Sequence, residues 1–167
     1  MLTLTRKLAA LVVSVSLALP LAAAADPAKG PETLTNTSYG GADSLACLTE
    51  ALYFEARGEG RSGQRAVAEV ILNRVDSRTF PNSVCGVVHQ RGQFTYNKGR
   101  RMSNAAAAAR ARQIAADALA GAPRELTNGA TYFHTTAVRP SWSKRFTRTQ
   151  KIGSHVFYRQ GRRVASK

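Results

Sequence analysis

The chain has 167 residues, 24 of them Lys or Arg and 10 Asp or Glu, for a formal net charge of +14. This length supports one domain with a sizeable core and excludes two. The charge either steers the protein toward anionic polymers or solubilises it; with no helix-turn-helix, zinc-finger or RNP-type pattern, nucleic acid is not an expected partner.

The N-terminus reads as an export signal. Arg6 and Lys7 precede the apolar run of residues 8–19, and small residues follow to an A-x-A site at 23–25. The run is too short to span a membrane comfortably. The expectation is cleavage near Ala25, no stable membrane anchor afterwards, and a periplasmic or secreted protein. No Cys directly follows the run to carry a lipid. Residues 26–42, rich in Pro, Gly, Thr, Asn and Ser, read as a flexible lead-in.

The domain proper is expected over residues 43–160. Asp43 or Ser44 can cap a first helix whose apolar stripe, Leu45, Leu48, Leu52 and Ala56, recurs at i, i+3, i+7 and i+11. At roughly 100° per residue, Glu50 falls on the far face and Glu55 at the edge of the stripe. Gly58 marks the helix end. A glutamate at the margin of an apolar face, one turn from a helix terminus, is expected to be half desolvated. Desolvation raises its pKa and keeps it protonated near neutrality, as a general acid requires. The competing reading is an ion pair between Glu55 and Arg57 or Arg61.

A second helix is predicted from Ser62 or Gly63 to Val75, with Val67, Val70, Ile71 and Val75 on one face. Glu69, four residues after Arg65 and four before Asn73, reads as part of a surface ion pair. Residues 79–82 break the chain, and a short helical turn follows through Val84 and Val87. The polar, Gly-containing stretch 90–101 reads as a loop or short hairpin. Residues 104–120 form an Ala-dominated helix capped by Ser103 or Asn104 and closed by Gly121-Ala122-Pro123. Residues 129–136 suggest a strand and 152–158 a second, with Ile152, Val156 and Tyr158 in period two. His155, inside that pattern, reads as structural. Residues 161–167 form a basic tail.

Cys47 lies in the first helix and Cys85 in the S-V-C-G turn. In an exported chain an even pair favours a disulfide over two buried thiols. The bridge would close a loop of about 38 residues, worth roughly 3 to 4 kcal/mol on a chain-entropy model. The three His are scattered with no ligand spacing, so neither a metal nor another cofactor is expected.

Several blocks carry a family resemblance: LTEALYFEARGE at 48–59, GQRAVAEVILNRV at 63–75, FPNSVCGVVHQRGQFT at 80–95, NGATYFH at 128–134, Trp142, and KIGSHVFY at 151–158. In this order they resemble the cell wall hydrolase family typified by the spore cortex-lytic enzyme SleB and the related CwlJ proteins. The resemblance covers about residues 43–159. It implies an α+β, lysozyme-like fold, mainly helical with a small β-hairpin or sheet, acting on peptidoglycan glycan strands. It also implies that the first glutamate of the E-A-R-G-E block, Glu55, is the catalytic acid, the residue that the amphipathic pattern singles out independently.

Cleavage between the sugars needs an acid for the glycosidic oxygen and stabilisation of an oxocarbenium-like transition state. Lytic transglycosylases recruit the muramyl C6 hydroxyl as nucleophile and form a 1,6-anhydro product, so one Glu serves in turn as acid and base. Among the 10 side-chain carboxylates, Glu59 is the main contender for a second role. Its competing readings are a hydrogen bond to the backbone at the start of the second helix, or a pair with Arg57 or Arg61.

Two positions depart from the family pattern. The loop Asn97-Lys98-Gly99-Arg100 lacks the acidic residue that relatives often carry there, which weakens a two-carboxylate mechanism. Tyr132 stands where relatives often have His, leaving His134 as the imidazole of that block. Gln93, Thr95, Tyr96, Tyr132, His134 and Trp142 are the expected lining of a sugar-binding groove, since aromatic faces stack on pyranose rings and amides read hydroxyl and N-acetyl groups. Trp142 reads equally as a surface anchor, and Phe94 and Phe133 read as core. The expected function is a lytic transglycosylase acting on the MurNAc–GlcNAc strand. A hydrolytic muramidase or glucosaminidase and a non-catalytic peptidoglycan-binding protein are the alternatives, and an activating partner is left open.

Overall fold

Helices form the first part of the domain and a small sheet the last. The computed structural model describes residues 39–94 and 96–161. The expected signal at 1–25, most of the lead-in, Thr95 and all but the first residue of the basic tail lie outside the described residues. The elements in chain order are α1 (Ala42–Ala56), α2 (Arg61–Val75), α3 (Val84–Val88), α4 (Ala105–Leu119), β1 (Tyr132–Thr135), a 3-10 turn (Ser141–Lys144), β2 (Thr147–Ile152) and β3 (His155–Arg159).

Helix α1 runs through the helical core. Leu48, Leu52 and Ala56 of its apolar stripe are buried, and Leu45 packs partly buried against the same cluster. Burial spreads beyond the stripe to Cys47, Thr49, Ala51 and Tyr53, because α2, α3 and α4 all pack on this helix. The cap differs from expectation: Gly41 occupies the N-cap position without a side-chain hydrogen bond, and Asp43 sits in the first turn, where its charge suits the helix dipole. Glu50 does not face open solvent either. Its side chain is only 15 % exposed and accepts a hydrogen bond from the Gly99 backbone N–H at 2.6 Å, because the 97–100 loop covers that flank of α1.

Ser83 caps α3 by accepting from the Gly86 N–H, and Asn104 caps α4 by accepting from the Ala107 N–H. Cys47 and Cys85 form the expected disulfide, with Cα atoms 5.3 Å apart, tying α3 to α1. At the edge of the lead-in, Tyr39 packs on the core and donates to Asp76 Oδ1 at 2.6 Å; Arg124 pairs with the other oxygen of that carboxylate at 2.8 Å.

Helix α2 buries Val67, Val70, Ile71 and Val75 as expected, but its polar residues do something the sequence did not suggest. Glu69 is 4 % exposed, and among the described residues no ion pair holds it. Its carboxylate accepts from the backbone N–H groups of Leu126 and Thr127, at 3.1 and 3.0 Å, and from the Thr127 hydroxyl at 3.0 Å. One turn on, Asn73 Nδ2 donates to the Ala130 carbonyl and Arg74 Nε to the Thr131 carbonyl, at 3.0 and 2.6 Å. Three side chains of one helix thus satisfy the backbone of the segment that feeds β1, groups that would otherwise be buried without partners. Glu69→Gln keeps the shape but replaces one acceptor oxygen by a donor. We expect a loss of about 1 to 2 kcal/mol in urea unfolding, whereas an exposed ion pair would give a few tenths.

The three strands pair antiparallel in the order β1-β3-β2. The single strand expected over 152–158 is instead a hairpin: the chain reverses at Gly153-Ser154 and Ile152 pairs with His155. Gly153 has φ +58, a left-handed conformation that a side chain disfavours. Strand β3 is central, and its residues from His155 to Tyr158 are all buried, so both faces are covered.

Candidate active site

Glu55 sits half-buried in the last turn of α1, between Phe54 and the buried Ala56. The ring of Phe54 stacks on Tyr96, centroids 4.8 Å apart, and so ties Tyr96 to the end of this helix. The Tyr96 phenol is pushed well above its ordinary range, first by burial and then by the nearby carboxylates of Glu50 and Glu55. It is therefore an O–H donor at any physiological pH, within electrostatic reach of Glu55. Lys98 Nζ lies 5.1 Å from the Tyr96 ring centre. Phe94 is buried in the core, as expected, while Gln93 is half-buried beside it.

Glu59 is placed quite differently. Its side chain is only 11 % exposed and reaches across to the β2–β3 turn. There it accepts from the Ser154 backbone N–H and from the Ser154 hydroxyl, and it lies 3.5 Å from His155 Nδ1. A Cβ on Gly153 would displace this carboxylate, and the φ of +58 is the conformation that calls for glycine. Neither competing reading from the sequence holds: Glu59 caps no helix and pairs with neither Arg57 nor Arg61 in the contacts described here. It staples the α1–α2 junction to the hairpin.

Burial, the largest influence, holds His155 below its ordinary pKa; Glu59 opposes that and His134 adds to it. Folded His155 thus releases its proton more readily than unfolded His155. The associated stability is present above about pH 6.5, the unfolded value, and drains away as pH falls toward the folded one. Glu59→Gln keeps the acceptor for Ser154 but removes the charge facing His155. It should lower the His155 pKa further and, if Glu59 only supports the site, leave cleavage within about tenfold of wild type. Histidine titration by NMR, alongside turnover, checks both; inactivity as deep as that of a Glu55 variant would reassign the acid.

The second cluster of expected site residues assembles on the sheet. Tyr132 lies 5.5 Å from Trp142, His134 5.6 Å from Trp142, and His134 stacks on Tyr158 at 5.2 Å. The His134 ring is fixed at both nitrogens, by the Thr135 carbonyl at 2.8 Å and the Tyr158 hydroxyl at 3.0 Å. Trp142 is half-buried among Tyr132, Phe146 and Tyr158, so it belongs to an aromatic ledge and is no isolated surface anchor. Phe133 points to the other side, against His155 and Phe157.

Arg74 joins the two clusters. Its guanidinium carbon lies 5.3 Å from the Phe80 ring, 5.9 Å from Phe94 and 5.8 Å from Tyr132. Burial lowers its pKa to about 10, which leaves it charged at neutrality. A desolvated guanidinium among rings contributes up to about 2 kcal/mol through cation–π attraction. It therefore holds the loop bearing Gln93 and Tyr96 against the strand bearing Tyr132 and His134. Sequence reasoning missed Arg74, Tyr158, Phe146 and Ser154. The only available signal was the polar pair Asn73-Arg74 inside an apolar helix.

Comparison with known proteins bears on this arrangement. A sequence model of the family described as Cell Wall Hydrolase matches residues 58–158. That span includes Glu59 and the lining candidates from Gln93 to Trp142 but begins three residues after Glu55. The spore cortex-lytic enzyme of Halalkalibacterium halodurans is 37% identical over 128 residues, 75% of this chain and 38% of that protein. That of Bacillus subtilis is 35% identical over 116 residues, 69% of this chain and 37% of that protein. The chain thus spans well under half the length of these relatives. Among solved structures, the catalytic domain of the germination-specific lytic transglycosylase SleB from Bacillus anthracis is similar with a TM-score of 0.58 and 31% identity, covering 71% of this chain and 96% of that one. The catalytic domain of Bacillus cereus SleB gives a TM-score of 0.59 and 31% identity, covering 78% and 99%. The α+β, lysozyme-like architecture expected from the resemblance is the one these neighbours share.

Proposed function

From the premise that this chain belongs to the cell wall hydrolase family, we propose that its mature form is exported and cleaves peptidoglycan glycan strands as a lytic transglycosylase, with Glu55 as acid and base. The observation that carries this reading is the half-buried carboxylate of Glu55 at the end of α1, beside the Tyr96 loop, in a chain similar to nearly the whole of a solved lytic transglycosylase catalytic domain. Export rests on the signal-like residues 1–25 and is consistent with the disulfide.

In the proposed cycle, protonated Glu55 donates to the glycosidic oxygen as the bond to the muramyl C1 breaks. The resulting carboxylate then accepts the proton of the C6 hydroxyl as that oxygen bonds to C1. The 1,6-anhydro ring closes, Glu55 regains its proton, and no water is consumed. A hydrolytic route uses a second carboxylate, either to activate water directly or as a nucleophile whose adduct water then cleaves. Glu59 is committed to Ser154 and Glu50 to the Gly99 N–H, which favours the single-acid route. The ledge of Tyr132, His134 and Trp142 supplies faces on which pyranose rings can stack, and Arg74 links it to the loop bearing Gln93 and Tyr96.

The test is incubation of the chain lacking residues 1–25 with purified sacculi. Release of soluble muropeptides is expected. Sedimentation with the sacculi and no release would instead make the protein a non-catalytic wall binder.

A further inference from the structure

The outer face of the sheet has an ordered chemistry that glycan stacking does not explain. The register places Tyr132, Tyr158 and Arg148 in one cross-strand row and His134, Val156 and Lys151 in the next. Residues opposite one another in antiparallel strands share a face. This face is therefore aromatic on β1 and cationic on β2. The segment after β1 adds Arg139 and Lys144, and together they line an open cleft of about 430 Å³. Among the described residues, no carboxylate lines that cleft. Four cations converging without an acid repel one another, an arrangement that an anionic ligand relieves and that focuses anions into the cleft.

We propose that this cleft is a subsite for the carboxylates of the peptide stems carried by the glycan strand, placed beside the aromatic ledge so that sugar and stem are read together. The proposal deepens the function proposed above and rests on it. A fully N-acetylated glycan whose lactyl groups are amide-linked to stems carries no charge of its own, so the anions available to the cleft belong to the stems. Two features favour a peptide over a bare phosphate. The cleft is larger than a single small anion requires, and Val138 at its rim is 53% exposed, an apolar contact suited to the methyl groups of a short peptide.

The test compares native sacculi with sacculi whose carboxylates have been converted to amides by carbodiimide and ammonia, leaving the glycan intact. Binding is read by co-sedimentation and cleavage by soluble release, each at low and at high salt. The mature chain should prefer native sacculi by roughly tenfold at low salt, and the preference should shrink at high salt as the charges are screened. In a variant carrying Arg139→Gln, Lys144→Gln, Arg148→Gln and Lys151→Gln, the preference should fall below about twofold. All four side chains are exposed, so the fold should survive, with circular dichroism as the check. A control removing the exposed Arg65, Arg78, Arg110 and Arg112 should keep the preference.

Equal binding of native and amidated sacculi by the wild type overturns the proposal, whether or not inorganic polyphosphate competes. So does a preference that survives the cleft variant, or one lost equally in the control, since net charge alone would then explain it. If neither substrate is cleaved but the binding preference behaves as expected, the subsite stands and the catalytic reading falls.

Discussion

Glu55→Gln is expected to abolish release of muropeptides from sacculi, by on the order of 100-fold or more, while leaving the fold intact. The amide preserves the size and the hydrogen-bonding reach of the side chain but has no acidic proton to give the leaving oxygen. Glu55 is half-buried at the end of α1, so the isosteric change removes no core packing. The contrast with Glu59→Gln is what gives the experiment its force. The family match takes in Glu59 and begins just past Glu55, so similarity alone does not rank the two. The proposed assignment of Glu55 rests on its half-buried place at the end of α1 near Tyr96, while Glu59 lies at the hairpin against Ser154 and His155. A folded Glu55→Gln protein with near-normal turnover would remove it as the acid.

The second large effect is on stability. Replacing both Cys47 and Cys85 by Ser should lower the unfolding free energy by roughly 3 to 4 kcal/mol, the chain-entropy value for a bridge spanning 38 residues. In urea the midpoint should fall markedly, and m should rise if the unfolded chain becomes less compact. The consequence reaches the site, because α3 leads into the loop bearing Gln93 and Tyr96, and the bridge anchors α3 to the helix that bears Glu55. Activity should therefore be lost at a lower temperature than in wild type. Thiol titration of unreduced, denatured wild type should find no free thiol; two free thiols would contradict the bridge.

Local signals carried most of the helical half. The apolar recurrences in α1 and α2, the Asn104 cap and the alanine run gave elements close to those observed, because period and capping are properties of neighbouring residues. What escaped depends on partners far along the chain. Glu69 has Arg65 and Asn73 at helix-pair spacing, which suggested a surface pair, but its actual partners are 57 and 58 residues away. Arg74 is held by rings from a break, a loop and a strand, none of which its local sequence announces. The hairpin was missed because the period of Ile152, Val156 and Tyr158 continues across the Gly153-Ser154 reversal, and one glycine is a weak signal against it.

The site shows the same division. Tyr132, His134 and Trp142 were selected for their chemistry and do assemble, but the residues that organise them, Tyr158 through His134 and Arg74 through Tyr132, emerged only with the sheet register and the packing of α2. Closeness in sequence to Glu55 makes Glu59 the candidate second carboxylate. Its tie to Ser154 spans 95 residues and turns it into a structural staple.

The central claim is that one carboxylate and the substrate's own hydroxyl accomplish the cleavage. The measurement that bears on it most directly is the mass and reducibility of the muropeptides released from purified sacculi by the mature chain. The account predicts products ending in 1,6-anhydromuramyl residues that borohydride does not reduce. Products bearing free reducing ends would contradict it, and would mean that water takes the place of the C6 hydroxyl.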